Sequence, residues 1–243
     1  MNYFVYNGIS SADMGIRIES KNVFSAPKYD VQFAEIPGHH GDLIVGGGRY
    51  PNVQITYSVF VPAKTVSELA EKITAIKRWL YANQDSYHTL TDTYDTAFFR
   101  KAVFASQLDI EDELNRIGVF TVSFSCLPFR YSSDGQTAVT ITTSGQSLTN
   151  PYGFSSKPLI RVNGSGSGSI TVITNGSLKV WQVQSIDGYV DIDSEQMNCF
   201  KGTVLKNDKV SGNGFPILES GSNTFVFTGG VTSVSVTPRW CTL

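Results

Sequence analysis

Histidine, the side chain most often used for acid–base chemistry near neutral pH, occurs three times in 243 residues, at His39, His40 and His88. His39 and His40 are neighbours in the stretch Pro37-Gly38-His39-His40-Gly41-Asp42. On a strand they would point to opposite faces. In a loop they could join Asp42 around a metal ion, but no further His lies nearby and the cysteines are remote, which falls short of the clustered ligands a zinc site uses. The plainer reading is a glycine-bracketed surface loop running to Arg49, a candidate contact between subunits or along an axis. Gly38, His39, His40, Gly41, Asp42 and Arg49 form the candidate interface set.

Carboxylates are densest at Asp187, Asp191, Asp193 and Glu195, and alternation would put the last three on one strand face. Such a group could hold Ca²⁺ or supply a glycosidase pair. Its spacing matches no EF-hand loop, and a solvated strand edge that discourages unwanted pairing accounts for it as well. Trp181, Tyr189 and Phe200 could stack on a sugar, although Trp181 sits in an apolar alternation typical of a core strand. No G-x-S-x-G elbow is present. Gly46-Gly47-Gly48-Arg49 lacks the G-K-[ST] ending of a phosphate loop. Cys126 lies on the apolar side of a strand, where a thiol is inert. The reading is therefore a chain with no catalytic residues, no metal and no cofactor, which is not an enzyme.

Composition narrows the class further. Nineteen Lys and Arg against twenty-one Asp and Glu leave a net charge of -2, without the basic excess that nucleic-acid binding draws on. Aromatics at 12% are too many for a disordered chain. No apolar run approaches the roughly 20 residues of a membrane helix, and the opening MNYFVYNGIS has no basic region or long apolar stretch of the signal-peptide kind. Three widely spaced cysteines read as buried free thiols from a reducing compartment.

Two regions would position these side chains. Charged residues make up 27 of the first 135 positions but only 13 of the last 108, which are rich in Ser, Thr, Gly and Asn. The shift places a boundary in Tyr131–Gly135 and two domains, 1–133 and 134–243. In the first, Asn52–Val61 and Val119–Cys126 alternate as half-buried strands. Between them Thr65 and Glu68 form a capping box, and Leu69, Ile73, Ile76 and Leu80 make one apolar stripe, which predicts a helix laid on an antiparallel sheet. In the second, Leu159–Val162, Ser169–Ile173, Leu178–Val183, Tyr189–Ile192, Thr224–Phe227 and Val231–Thr237 are predicted short strands separated by turn clusters, a sandwich pattern. The run Gly164, Gly166, Gly168 reads as a flexible turn joining two of them.

Taken in order, these segments resemble the distal tail protein family of siphophages. The likeness rests on Phe4-Val5-Tyr6-Asn7-Gly8-Ile9-Ser10-Ser11 followed by Gly15-Ile16-Arg17, then Ile36-Pro37-Gly38-His39-His40-Gly41-Asp42-Leu43. There the family commonly carries an Arg-Asp-Gly-like sequence, so no role tied to that Arg is carried over. It continues through the capped helix ending Arg78-Trp79-Leu80 and through Phe124-x-Cys126-x-Pro128-Phe129. In the back half it rests on Pro158-Leu159-Ile160-Arg161-Val162, Phe215-Pro216-x-Leu218 and the closing Pro238-Arg239-Trp240. The resemblance implies a mainly β fold, with a ring-forming N-terminal antiparallel domain carrying one packed helix and a C-terminal β-sandwich of jelly-roll or galectin-like type. It implies a structural hub in the virion, at the tail tip or baseplate, assembled in the host cytoplasm. The expected partners are further copies in a homo-hexameric ring, the tail tube protein, the tail-associated tip protein and a receptor-binding protein. The alternative from another class is a carbohydrate-binding module recognising cell-wall glycans.

Overall fold

The computed structural model describes residues 1–243, which fall into two units, Met1–Arg130 with Leu243, and Tyr131–Thr242. The first unit is built from β1 (Phe4–Tyr6), β2 (Ile9–Ser10), β3 (Arg17–Lys21), β4 (Val31–Ala34), β5 (Leu43–Gly46), β6 (Val53–Pro62), α1 (Val66–Leu80), β7 (His88–Asp92), β8 (Phe98–Phe104), β9 (Ile110–Glu113) and β10 (Ile117–Ser132), whose last two residues lie in the second unit.

Period two makes β6 a strand: Val53, Ile55, Tyr57, Val59 and Val61 are buried while the residues between them are not. It pairs antiparallel with β10, Tyr57 opposite Val122 and Val59 opposite Phe120. The antiparallel sheet runs β2-β1-β7-β8-β10-β6-β3, and β9 hairpins onto β10 through Leu114 and Asn115. Both turn residues have φ near +55°, the backbone of a tight hairpin turn.

Helix α1 starts where its cap predicts. Thr65 Oγ1 accepts from Glu68 N at 3.2 Å, and the Glu68 carboxylate accepts from Lys64 N at 2.8 Å, one residue earlier than in the usual reciprocal box. Its buried face is Leu69, Ile76, Trp79 and Leu80. Trp79 drives the packing. Its indole Nε1 donates to Tyr6 O at 3.0 Å, and its ring stacks 5.8 Å from Phe4. Phe4, Tyr6, Tyr57, Phe104 and Phe124 complete an aromatic core.

The second unit holds β11 (Val139–Ile141), β12 (Gln146–Asn150), β13 (Leu159–Thr174), β14 (Ser177–Asp193), β15 (Asn198–Lys201), β16 (Val204–Leu205), β17 (Val210–Gly212), β18 (Gly221–Thr237) and β19 (Cys241–Thr242). The six short strands expected here are three long ones, β13, β14 and β18, each bent in the middle. The Gly164–Gly168 run is therefore not a turn between strands. It is an irregularity inside β13, where the register shifts against both neighbours. Gly164, at φ +156°, lies so close to Gly230 on β18 that a Cβ there would overlap the Gly230 carbonyl oxygen. Glycine is needed at this crossing because two backbones touch.

The bend gives each long strand two halves with different neighbours. The first half of β13 pairs with the second halves of β14 and β18, which carry β15 and β11 on their other edges, and its second half pairs with their first halves, which carry β17 and β12. Side chains from both halves, including Ile160, Val162, Ile170, Val172, Trp181, Val190, Phe225 and Val234, share one core. The molecule is mainly β and antiparallel, with one α-helix.

Candidate assembly interface

Between β3 and β6 the chain leaves the main sheet. β4 and β5 pair only with each other, Val31 with Gly46, Gln32 with Val45, Phe33 with Ile44 and Ala34 with Leu43. Opposed residues share a face, so Phe33 and Ile44 lie on one side of this arm and Ala34, Leu43 and Val45 on the other. Both sides carry open apolar side chains: Phe33 is 61% and Ile44 65% exposed on one, and Leu43 53% and Val45 49%, beside Gln32, on the other. The tip joining β4 to β5 carries Ile36, Gly38, His39, His40, Gly41 and Asp42, with left-handed backbone at Gly38 (φ +80°) and Gly41 (φ +84°) and His39 N donating to Ile36 O at 3.0 Å.

Residues expected as one loop therefore divide. Gly38, His39, His40, Gly41 and Asp42 stay together at the tip, Leu43–Gly46 form a strand, and Arg49 lies at the root. There Asp30 N donates to Arg49 O at 3.1 Å, Gly47 N donates to Asp30 O at 2.7 Å, and Arg49 Nε meets Asp30 Oδ2 at 3.1 Å. Tyr29 and Tyr50 face each other across the root, centroids 5.0 Å apart. Leu43, Ile44 and Val45 lie within the expected loop, but as a strand with apolar side chains, and their partner Phe33 lies outside it. Their signal is the alternation Val31-x-Phe33 and the run Leu43-Ile44-Val45, masked by the glycines and proline around them.

The carboxylate group of the second unit is not a solvated edge. Asp191 and Asp193 do share a strand face, but both are buried and paired. Arg161 meets Asp191 through two hydrogen bonds, at 2.7 and 2.8 Å, while its guanidinium lies 4.1 Å over the Tyr189 ring. Arg239 meets Asp193 in the same two-armed way, and also reaches Glu195 at 3.5 Å. Glu195 lies past the end of β14, in the following turn. Asp187 is open and paired with Lys201, and Glu195 is also exposed. These are structural ion pairs, and the two acids that would have acted as a pair are each neutralised by an arginine.

Burial governs the remaining reactive groups. It pushes the Cys126 thiol up to about 12 and those of Cys199 and Cys241 to about 11, so thiolate is scarce at neutral pH. No group of three or more His, Cys, Asp or Glu side chains is placed to hold a metal ion. Trp181 is buried, with Nε1 donating to Gly214 O at 2.7 Å, and Tyr189 carries Arg161 on its ring. Trp181 thus belongs to the core, and Arg161 takes one face of the Tyr189 ring. No helix is long and apolar enough to cross a membrane.

Residues 12–126 match the phage tail protein RIFT-related domain. The whole chain superposes on the SPP1 Dit protein, described as a paradigm of the hub adsorption apparatus in phages infecting Gram-positive hosts, with a TM-score of 0.81, 14% identity and full coverage of both chains. Chains of the phage p2 baseplate in its activated conformation, with Sr and with Ca, align at TM-scores of 0.53 and 0.51 and 9% identity over 97% of each chain. No curated protein matches. Residues 12–126 therefore form a phage tail protein domain, and the chain shares its fold with hub and baseplate proteins of phages. Over its whole length the chain has the fold of the SPP1 Dit protein.

Proposed function

We propose that this protein is a non-enzymatic subunit of a closed ring, six copies round, joining the distal end of the tail tube to the tail-associated tip and receptor-binding proteins, and assembled in the host cytoplasm before virion release. One observation carries the reading: the arm formed by β4 and β5. An isolated two-stranded hairpin is marginal in water, and one with Phe33, Leu43, Ile44 and Val45 exposed on both faces calls for a second surface to cover it. A neighbouring copy supplies that surface. One patch meeting a different patch on the next copy is a head-to-tail contact, which closes into a ring when the rotation per subunit divides the circle. In this reading Gly38, His39, His40, Gly41 and Asp42 reach the neighbour, and Arg49 lies at the edge of the contact, at the arm's root.

The test is the mass and image of the purified protein, alone and with the tail tube protein. An annulus whose mass is six times the subunit supports the ring. Replacing Phe33 and Ile44 together by Ser should return monomers of unchanged melting temperature. Monomers from the unmodified chain in both settings would end the proposal.

A further inference from the structure

Arg100 projects from β8 into the interior of the first unit and is 6% exposed. Its Nη2 donates to two main-chain carbonyls, Val23 O at 3.3 Å and Ser25 O at 3.4 Å. Its Nη1 is buried and has no partner in the chain. A buried guanidinium N–H without an acceptor is costly and rare. Against it lies a small cavity of about 10 Å³, whose polar lining is Thr91, Asp92, Asp95, Arg100 and Arg130, at the lower bound of the space that holds the centre of one water.

Asp92 brings the complementary group. Its Oδ1 accepts from the amides of Tyr94 at 2.8 Å and Asp95 at 3.0 Å, and its Oδ2 accepts from the Tyr57 hydroxyl at 3.1 Å. A carboxylate has about four acceptor positions, so one is left. Arg130 is already engaged, by Asp95 Oδ2 at 2.7 Å and by Leu243 O. The wall thus offers the unpartnered Arg100 donor and remaining acceptor capacity on the Asp92 carboxylate.

We propose that this cavity is a binding site for a single water, which accepts from Arg100 Nη1 and donates to the Asp92 carboxylate, and that Arg100 so fixed is the positioning residue for the root of the arm. Val23 and Ser25 lie in the stretch that leaves β3 for β4. Holding their carbonyls ties that stretch to the central sheet and sets the direction in which the arm departs. A water suits the site better than an anion, because the Asp92 carboxylate repels negative charge and the space excludes any polyatomic ion. The proposal concerns the isolated subunit and does not depend on ring formation.

Two measurements on the full chain test it. In crystals soaked in bromide, an electron-density peak within hydrogen-bonding reach of Nη1, with no anomalous signal, supports the water. A bromide peak there, or a dry cavity, overturns it. For the anchor, amide hydrogen exchange is compared between the unmodified chain, Arg100→Met and Arg100→Lys. Arg100→Met should speed exchange at Ser25 and Asp30 by about tenfold or more while β6 and β10 stay within about twofold, the mark of local rather than global opening. Arg100→Lys, which keeps a buried cation able to reach the Val23 carbonyl, should restore part of the protection and covers the case in which the Met variant does not fold. Exchange that rises equally in all strands, or Ser25 and Asp30 amides unmoved in both variants, would refute the anchor.

Discussion

Arg239 holds Asp193 by both ends of its guanidinium, Nη1 to Oδ1 at 2.7 Å and Nη2 to Oδ2 at 2.9 Å, with the Asp193 side chain 3% exposed. Asp193 Oδ1 also accepts the amides of Glu195 at 2.9 Å and Gln196 at 3.1 Å, closing the turn after β14. Arg239 is itself held in left-handed backbone, φ +52°, by its N donating to Gly135 O at 2.7 Å. The pair therefore ties the end of β14 to the segment after β18. Replacing Arg239 by Met strands a buried carboxylate and should cost about 3–5 kcal/mol, read as a lower melting temperature of the second unit by calorimetry. Arg161→Met should cost distinctly less, because the Arg161 side chain is 47% exposed and water can serve Asp191 in its place. Equal losses for both would contradict this account.

The same pair sets an acid limit. Burial alone would raise the Asp193 pKa, but the Arg239 hydrogen bonds and charge, with the Gln196 and Glu195 amides, outweigh it and hold the carboxyl below the ordinary 3.8. A depressed carboxylate favours the folded state above its unfolded pKa. In the window below about pH 4 the unfolded chain binds the extra proton, so stability falls as pH drops through the folded value. Urea midpoints should be flat for this contribution from pH 5 to 7 and decline below pH 4. In Asp193→Asn the decline should be shallower, and an unchanged slope would show that another group governs acid unfolding.

Gly230 marks the point where β18 crosses β13. A Cβ at Gly230 would overlap the Ser165 carbonyl oxygen, and backbone on both sides leaves nothing to swing away. Gly230→Ala should therefore cost about 2 kcal/mol or more. Gly153→Ala is the control. Nothing lies within 4 Å of a Cβ there, and the change should stay within roughly 0.5 kcal/mol. Denaturant titration of both variants separates a close crossing from a general intolerance of alanine.

What the residues disclose in advance follows from what each signal measures. Alternation reports which face of a strand is buried, so β6 and the paired part of β10 were legible, as was α1 from its cap and stripe. Trp79 lies beside that stripe and became visible as a packing residue only with its indole bond to Tyr6 O. Glycine reports local backbone freedom but not its cause. The bends in β13 and β18 carry the same Gly and Ser as a loop, and only the neighbouring strand shows that the glycines are there for contact. The carboxylates of β14 look solvated until Arg161 and Arg239, thirty and forty-six residues away, are brought against them. The arm escaped for a different reason: its apolar residues are exposed, and sequence patterning assumes that such residues are inside.

That exposure yields the sharpest contrast between variants. The Arg49–Asp30 pair is 72% and 42% exposed on its two side chains and adds little to folding, while the backbone bonds between Asp30 and Arg49 hold the root whatever the side chain. Arg49→Glu should therefore leave the melting temperature in place and reduce assembly only partly. Replacing Leu43 and Val45 by Ser, on the opposite side of the arm from Phe33, removes apolar surface that in the monomer faces water. Folding should again be unchanged, but the ring should be lost if both faces of the arm are covered by a neighbour, and kept if only the Phe33 face is. Mass measurement of these variants beside the Phe33 and Ile44 double variant assigns the contact to one face, both or neither. Rings persisting in all of them would exclude the arm as the joint.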